Sequence, residues 1–322
     1  MGIKKQLIFA VMVSWSLLGV SMAKAGDASY PSKPITLIIP YEAGSGTDLE
    51  ARGMIPFLAK YLKGKVAIED VPGAGGKIAL TRAWKATPDG YTLIYHIIPS
   101  SITKQYIFNG EFSVKDYTHI YAISKTNQVL VVNADTWKTW DEFLKAGRSQ
   151  TLSGGCSAIA GATHMMGLLL AEKFGLKVNW VPYEGGSEAL AATAGKHLDL
   201  AITFSPTALP LVDAGKLRPL LVFADAKDTT FPQVATSRQL GYDIPLMPTI
   251  RGVVGPPRMT PERAKALEEA MAKVVKDQEF LDWGKKRRID IEPIPPVQYR
   301  QYVLQQYEIV EKFKNLFEKA KQ

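Results

Sequence analysis

Short apolar segments alternate with helical patterns along most of this chain, and this alternation restricts its fold class more than any other feature. Ile35–Ile39 is typical of a buried strand, whereas apolar residues recur at helical spacing over Leu49–Leu62. Alternation of this kind favours parallel α/β organisation. Further strands are predicted at Val66–Glu69, Thr92–Ile97, Val129–Val132, Val178–Val181, Leu198–Phe204, Leu220–Phe223 and Thr249–Val254. Further helices are predicted at Ile78–Trp84, Thr139–Ala146, Thr163–Phe174, Val297–Lys319 and after an N-cap at Thr260, with a loop of small residues at Gly154–Gly161.

The first 25 residues have the layout of a secretory signal peptide. Lys4 and Lys5 precede an apolar segment, Leu7–Met22, and Ala23-Lys24-Ala25 follows as a small-residue cleavage site. The apolar segment is short for a membrane-spanning helix of about 20 residues. No cysteine stands directly after the cleavage site, so a lipid-anchored form is not expected. We therefore predict export, with cleavage near Ala25.

Length and charge restrict the class of the mature protein. Its length is at the upper end of the usual limit of roughly 250–300 residues for one core, which favours two lobes. The single cysteine, Cys156, excludes an internal disulfide, so the fold must depend on burial of its apolar residues, 46% of the chain. Removal of Lys4, Lys5 and Lys24 takes the formal charge from +8 to +5. No basic run is interleaved with aromatic residues, so nucleic-acid binding is not expected.

The segment Pro40–Asp48 (PYEAGSGTD) joins the first predicted strand to the first predicted helix. A glycine-bearing turn at this place directs backbone N–H groups and a helix N-terminus to one point, and Asp48 is positioned to cap the helix. This arrangement favours an anion such as a carboxylate or a phosphate. Many α/β proteins turn from strand to helix in this way without binding a ligand, and that reading stays open.

Other chemistry finds little support in the sequence. Cys156 and His164 could form a nucleophile and a base, but no third group is available to orient them. Gly73–Lys77 lacks the Gly-Lys-Ser/Thr ending of a phosphate loop. The four histidines have no metal-ligand spacing, so we expect neither a metal nor a cofactor.

Several segments together carry a family resemblance. They are, in chain order, Tyr30–Ile35 (YPSKPI), Pro40–Asp48, Val71–Gly76 (VPGAGG), Pro88–Leu93 (PDGYTL), Val181–Gly186 (VPYEGG), Ala214–Leu217 (AGKL) and Gly255–Pro257 followed by Thr260–Glu262. In order and spacing they resemble the extracytoplasmic solute-binding proteins of tripartite tricarboxylate transporters, often called the Bug family. The resemblance covers nearly the whole mature chain.

The resemblance implies a two-lobed periplasmic-binding-protein fold of type II, with two crossover strands near Ser124–Val132 and Thr249–Val254. Residues 26–130 and 249–322 would form the first lobe, and residues 131–248 the second. A monomer in the periplasm would close on a small organic carboxylate, and a membrane permease would recognise the closed form.

The first ligand loop of the family corresponds to Tyr41–Thr47. Glu42 stands where the family usually has a small residue or proline, and an acid there would repel a carboxylate unless it is neutralised or turned to solvent. Arg251 stands where the family usually has an aromatic residue. It could neutralise Glu42, bind the ligand directly as a bidentate donor, or be a surface arginine. The residues expected to bind ligand on this side are Tyr41, Glu42, Ala43, Gly44, Ser45, Gly46, Thr47, Asp48 and Arg251.

The second ligand loop corresponds to Ser157–His164, where the family shows glycines and hydroxyl residues. Gly161 has lost a hydroxyl, so a less polar pocket is expected on this side; His164 could instead cap or pack its helix. Thr203 replaces a frequent aspartate and could still donate to a carboxylate. His96 is expected at the cleft mouth, or else half-buried at a strand end. The residues expected here are Ser157, Ala158, Gly161, Thr163, His164, Thr203 and His96, and Tyr41, Tyr95 and Phe204 could add ring contacts or belong to the core.

Three functional classes follow from these readings. The first is a transport receptor that delivers a small carboxylate to a permease. The second is a sensing partner of a periplasmic kinase domain, and the third is an exported hydrolase that uses Cys156. Because of the departures at Glu42, Ala158, Ala160 and Arg251, a monocarboxylate or aromatic carboxylate is expected ahead of citrate.

Overall fold

The computed structural model describes residues 30–106, 109–157, 159, 161–183, 185–287 and 289–319. The predicted signal peptide, with its cleavage site near Ala25, and the predicted ligand residue Ala158 lie outside the described residues. Within the described ranges, no helix is both long and apolar enough to cross a membrane.

Eleven strands and eleven α-helices follow one another along the described chain. The strands are β1 (Ile35–Ile39), β2 (Val66–Asp70), β3 (Thr92–Ile98), β4 (Thr118–Thr126), β5 (Gln128–Asn133), β6 (Thr151–Ser157), β7 (Lys177–Tyr183), β8 (Leu200–Phe204), β9 (Leu217–Phe223), β10 (Thr249–Gly255) and β11 (Ile291–Ile294). The helices are α1 (Gly46–Leu62), α2 (Lys77–Trp84), α3 (Ser100–Tyr106), α4 (Trp140–Ser149), α5 (Ala162–Phe174), α6 (Gly186–Ala194), α7 (Ser205–Asp213), α8 (Pro261–Val274), α9 (Gln278–Arg287), α10 (Pro296–Lys312) and α11 (Lys314–Lys319).

The strands form two sheets, one in each lobe. The first sheet has the order β11-β4-β10-β3-β1-β2, and the second has the order β7-β6-β8-β5-β9. In the first sheet β1 runs parallel to β2 and β3, while β10 is antiparallel to both β3 and β4. In the second sheet β6 is parallel to β7 and β8, and β5 is antiparallel to β8 and β9. The predicted parallel α/β core is therefore combined with antiparallel strands.

The antiparallel strands carry the chain between the two sheets. Strand β4 ends in the first sheet at Thr126, and β5 begins in the second sheet at Gln128. The chain returns to the first sheet at Thr249, where β10 inserts between β3 and β4. Both crossings therefore lie beside each other at the base of the space between the lobes.

Helices cover both faces of the first sheet. The apolar residues of β1 are fully buried, and α1 and α8 pack together over one face of the sheet. Helix α10 packs on β4 and supplies the buried ring of Tyr299 to the other face. These layers position the start of α1 and the middle of β10 at the gap between the lobes.

Two sequence predictions of local structure are wrong. Gly154–Ser157 was expected in a loop of small residues, but these residues complete strand β6. A Cβ at Gly154 would lie 2.8 Å from the Trp180 ring, and one at Gly155 would lie 2.9 Å from Ala189, so the glycines allow close packing over the strand. Asp48 was expected to cap α1, but the N-cap is Ser45.

Gly252 tests the packing of the crossover strand. A Cβ at this position would lie 2.4 Å from the carbonyl oxygen of Tyr121 and 2.5 Å from Cα of Ala122, both backbone atoms of β4. We expect Gly252→Ala to lower the free energy of unfolding by about 1–3 kcal/mol or more, because the two strands must separate. Urea unfolding measures the change. Gly185→Ala, where a Cβ meets nothing within 4 Å, is the matched control; equal stabilities of the two variants would contradict this packing.

Candidate functional site

The start of α1 is held by a reciprocal set of hydrogen bonds. The Ser45 hydroxyl accepts from the backbone N–H of Asp48 at 3.2 Å, and the Asp48 carboxylate accepts from the N–H of Gly44 at 2.7 Å. The first bond is that of a capping box, but the carboxylate of Asp48 accepts from the residue before the N-cap instead of from the N-cap itself. Arg52 adds an ion pair, with its Nε 2.6 Å from Oδ1 of Asp48.

Asp48 is therefore a support of the loop. Burial raises the pKa of its carboxyl group, but the hydrogen bonds from Arg52 and Gly44 outweigh burial and leave the pKa below its ordinary value. The Gly44 N–H and the Asp48 carboxylate bond to each other, and ligand contact by either residue stays a prediction. Glu42, Ala43 and Gly46 are exposed.

Glu50, one turn into α1, is a buried acid beside the gap between the lobes. Its Oε1 accepts hydrogen bonds from the hydroxyls of Tyr95 on β3 at 2.8 Å and Ser124 on β4 at 2.5 Å. Its Oε2 lies 3.6 Å from Nη1 of Arg251 on β10. Burial and the Glu50 charge raise the pKa of Tyr95 well above its ordinary value, so the phenol stays a donor.

Among the described residues, Arg251 has only long polar contacts. Besides Glu50, its Nη1 lies 3.5 Å from Oγ1 of Thr126, and its buried Nε has no hydrogen-bond partner among the described residues. Glu50, and not Glu42, is the acid beside this arginine, which corrects the pairing considered from the sequence. Tyr41 lies near Arg251. Burial raises the pKa of Tyr41 above its ordinary value, and the charge of Arg251 partly opposes this rise.

A cavity of about 300 Å³ opens beside this arginine, between the two lobes. Gly46, Leu49 and Glu50 of α1 meet Arg251 on its first-lobe side, and Thr126 lies at the crossover. The other lining residues come from the start of α7 in the second lobe and from α9 and the segment after it: Phe204, Pro206, Thr207, Trp283, Arg287, Ile289 and Asp290.

Residues of the second predicted ligand loop hydrogen-bond to each other. Oγ1 of Thr163 accepts from the backbone N–H of Ser157 at 3.0 Å and lies 2.9 Å from the Ser157 hydroxyl. Gly161 is the N-cap of α5, and His164 packs edge-on against Trp180, with its pKa lowered by burial. None of these four residues lines the cavity.

Thr203 lies on β8, directly before Phe204, which does line the cavity. Its side chain is fully buried, and its hydroxyl oxygen has no hydrogen-bond partner in the described part of the chain. A Cβ added to Gly186 would lie 2.6 Å from that oxygen. The hydroxyl therefore faces the start of α6, within the second lobe.

The prediction that His96 lies at the cleft mouth is wrong. Successive residues of β3 point to opposite faces of the sheet, and Tyr95 takes the face toward Glu50. His96 is fully buried on the other face, where its Nδ1 lies 2.9 Å from the Tyr299 hydroxyl. Burial, with a smaller contribution from His119, holds the pKa of His96 well below its ordinary value.

Cys156 has the environment of a structural thiol. It is fully buried in β6, and its Sγ contacts the carbonyl oxygen of Val181 at 3.9 Å. Burial raises the pKa of the thiol to about 12, which disfavours the thiolate that a nucleophile needs. No cluster of three or more His, Cys, Asp or Glu side chains suited to a metal ion occurs within the described ranges.

Sequence reasoning missed most of the cavity. Glu50 follows an apolar residue in an amphipathic helix, and such a glutamate normally lies on the solvent side. Trp283 and Arg287 belong to a helix far along the chain, and no motif marks them. The available signal was Arg251, because an arginine within an otherwise apolar strand needs an acid or a ligand nearby.

Comparisons with known proteins give the family. The model of the tripartite tricarboxylate transporter family receptor matches residues 51–320. The chain belongs to this family. It is 30% identical over 307 residues to the "UPF0065 protein in gbd 5'region" of Cupriavidus necator, which covers 94% of this chain and 92% of that protein.

Solved structures show the same architecture. A ligand-free TctC solute-binding protein from Polaromonas superposes with a TM-score of 0.82 at 25% identity, covering 89% of this chain and 99% of that one. Malate-bound MatC from Rhodopseudomonas palustris superposes with a TM-score of 0.67 at 22% identity, covering 91% and 100%. The predicted family and the two-lobed periplasmic-binding-protein fold are confirmed.

Reactivity of Cys156 tests the burial of strand β6. At pH 8 we expect the native thiol to react with a disulfide reagent at least about tenfold more slowly than the urea-unfolded thiol, because it is fully buried and burial raises its pKa to about 12. The release of the reagent's chromophore measures the rate. A second variant, Ser149→Cys, places an exposed thiol on the same protein as a control. Equal rates for Cys156 and for this added thiol would place Cys156 at the surface.

Proposed function

We propose that this receptor binds a small organic carboxylate in the cavity between its lobes and delivers it, in the periplasm, to the permease of a tripartite transporter. The observation that carries the proposal is the Arg251 guanidinium, which lines the cavity with incomplete contacts to the protein. Guanidinium donors left without partners at a cavity wall favour a carboxylate, which they can bind through two parallel hydrogen bonds.

The energetics of Arg251 support a ligand role over a structural one. Its side chain is four-fifths buried, so its charge is largely withdrawn from water. The contacts to Glu50 and Thr126, at 3.6 and 3.5 Å, are longer than charge-assisted hydrogen bonds of about 2.7–2.9 Å. A ligand carboxylate would supply the short contacts that this buried cation lacks.

The start of α1 adds a second attraction for an anion. Gly46 lines the cavity at the first residue of this 17-residue helix, where backbone N–H groups have no partner within the helix. The positive end of the helix dipole therefore faces the cavity. Among the residues expected from the sequence, we propose Tyr41, Gly46, Thr47 and Arg251 as ligand contacts.

The two-sided lining supports a closing motion. Phe204, Pro206 and Thr207 approach the cavity from the second lobe, opposite Arg251. A ligand held by both sides would favour the closed arrangement by its differential affinity. We propose residues 26–130 and 249–322 as the first lobe and 131–248 as the second, acting as a monomer. The malate-bound relative supports a carboxylate as the ligand.

The two other functional classes are less well supported. A sensing partner of a kinase would use the same cavity, and no contact among the described residues favours that role over delivery. A hydrolase would need a reactive Cys156, whose thiol is buried and has a raised pKa.

Removal of Arg251 tests the function. We expect Arg251→Ala to weaken carboxylate binding by about 10- to 100-fold, the usual contribution of hydrogen bonds to a charged group. Arg251→Lys should recover only part of the affinity, since an ammonium group cannot bind in the bidentate manner. A melting-temperature screen with mono-, di- and tricarboxylates and amino acids finds the ligand, and calorimetry measures the affinities.

Arg148→Ala is the matched control, because Arg148 is an exposed arginine on α4 that makes one long hydrogen bond to the carbonyl of Phe174. The melting temperature without ligand shows whether each variant is folded. Wild-type affinity in a folded Arg251→Ala variant would return this arginine to a structural role and remove the basis of the proposal.

A further inference from the structure

The charges that line the cavity cancel. Arg251 and Arg287 bring two guanidinium groups, and Glu50 and Asp290 bring two carboxylates. A site that selects a simple anion by electrostatic complementarity should carry an excess of positive charge. This balance instead favours a ligand whose own charges sum to zero.

Glu50 supplies the negative half of the site with a free acceptor. Both hydrogen bonds to its carboxylate, from the hydroxyls of Tyr95 and Ser124, go to Oε1. Within the part of the chain that the structure describes, Oε2 accepts no hydrogen bond and has only Nη1 of Arg251 at 3.6 Å. The side chain is 4% exposed, so water cannot solvate this charge freely. A buried carboxylate in this state favours a cationic donor.

The positive and negative groups are adjacent. Oε2 of Glu50 and Nη1 of Arg251 are separated by 3.6 Å at one end of the cavity. In an α-amino acid the ammonium and carboxylate groups are attached to the same carbon atom, so they can meet two protein groups at such a separation. A dicarboxylate would bring its second negative charge toward Glu50 or would have to leave that end of the cavity.

Five of the ten other described residues that line the cavity have large apolar side chains. The volume of the cavity, about 300 Å³, is at the lower end of the range of roughly 300–1,000 Å³ for ligand pockets. The apolar side chains come from both lobes and would surround whatever extends from the charged end: Leu49, Phe204, Pro206, Trp283 and Ile289.

From these observations we infer that the ligand is a zwitterionic α-amino acid with an apolar side chain. Its carboxylate binds Arg251, its ammonium group binds Oε2 of Glu50, and its side chain lies against Trp283 and Phe204. Glu50 then determines specificity by distinguishing amino acids from carboxylates of the same shape. The inference rests on the proposed function, because it assigns the carboxylate to the same arginine.

The first experiment uses the wild-type protein and pairs of ligands that differ only in the ammonium group. Calorimetry compares leucine with 4-methylpentanoate, and phenylalanine with 3-phenylpropionate. We expect the amino acid of at least one pair to bind about tenfold or more tightly than its partner, as a hydrogen bond to a charged group provides. Equal or weaker binding of both amino acids, or no binding in either pair, overturns the inference.

The second experiment uses Glu50→Gln, which keeps the shape of the side chain and removes its charge. We expect this variant to lose the preference, so that the ratio between its affinities for the amino acid and for the des-amino acid falls to about one, whatever the affinity for each ligand alone. Glu172→Gln, at an exposed position on α5, is the control and should keep the preference. Retention of the preference in a folded Glu50→Gln variant overturns the role of Glu50, and the melting temperature without ligand shows whether the variant is folded.

The two proposals fail in different ways. If simple carboxylates bind through Arg251 but gain nothing from an ammonium group, only the amino-acid inference is wrong. If Arg251→Ala leaves every affinity unchanged, the proposed function itself is wrong.

Discussion

The buried carboxylate of Glu50 is the interaction on which the arrangement of the site depends. It joins α1 to three neighbouring strands, through Tyr95 on β3, Ser124 on β4 and Arg251 on β10. Strand β4 leads into the second lobe, and strand β10 returns from it. We expect its two short hydrogen bonds, from Tyr95 and Ser124, to help hold these strands in register. The longer contact of its Oε2 with Arg251 keeps the guanidinium at the cavity wall.

The surrounding structure prepares the cavity without occupying it. The hydrogen bonds of Ser45 and Asp48 secure the loop before α1 with the chain's own carboxylate, and Gly46 is left at the cavity wall. In the second lobe, Ser157 and Thr163 bond to each other, so that loop is also shaped before a ligand arrives. Preformed loops reduce the entropy lost on binding, which is the physical reason for such self-contained hydrogen bonds.

The sequence allowed prediction of the family, the two lobes and the first crossover, because alternating strand and helix patterns and ordered motifs are local signals. Strand β1, with four buried apolar residues among its five, is an example. The sequence does not show which face of a strand meets the site. His96 and Tyr95 are adjacent, and only the packing of α1 and α10 decides which of them lies on the side of the site. Glu50 was missed for a related reason. Its importance arises from strands 45 and 74 residues away along the chain.

The position of the ligand is tested most directly by a crystal structure of the protein with a ligand found in the melting-temperature screen. We predict electron density between the lobes, with the ligand carboxylate within hydrogen-bond distance of the Arg251 guanidinium and the second lobe closed over it. Density for the ligand outside this cavity, with the Glu50–Arg251 contact unchanged and Arg251 untouched, would contradict this prediction.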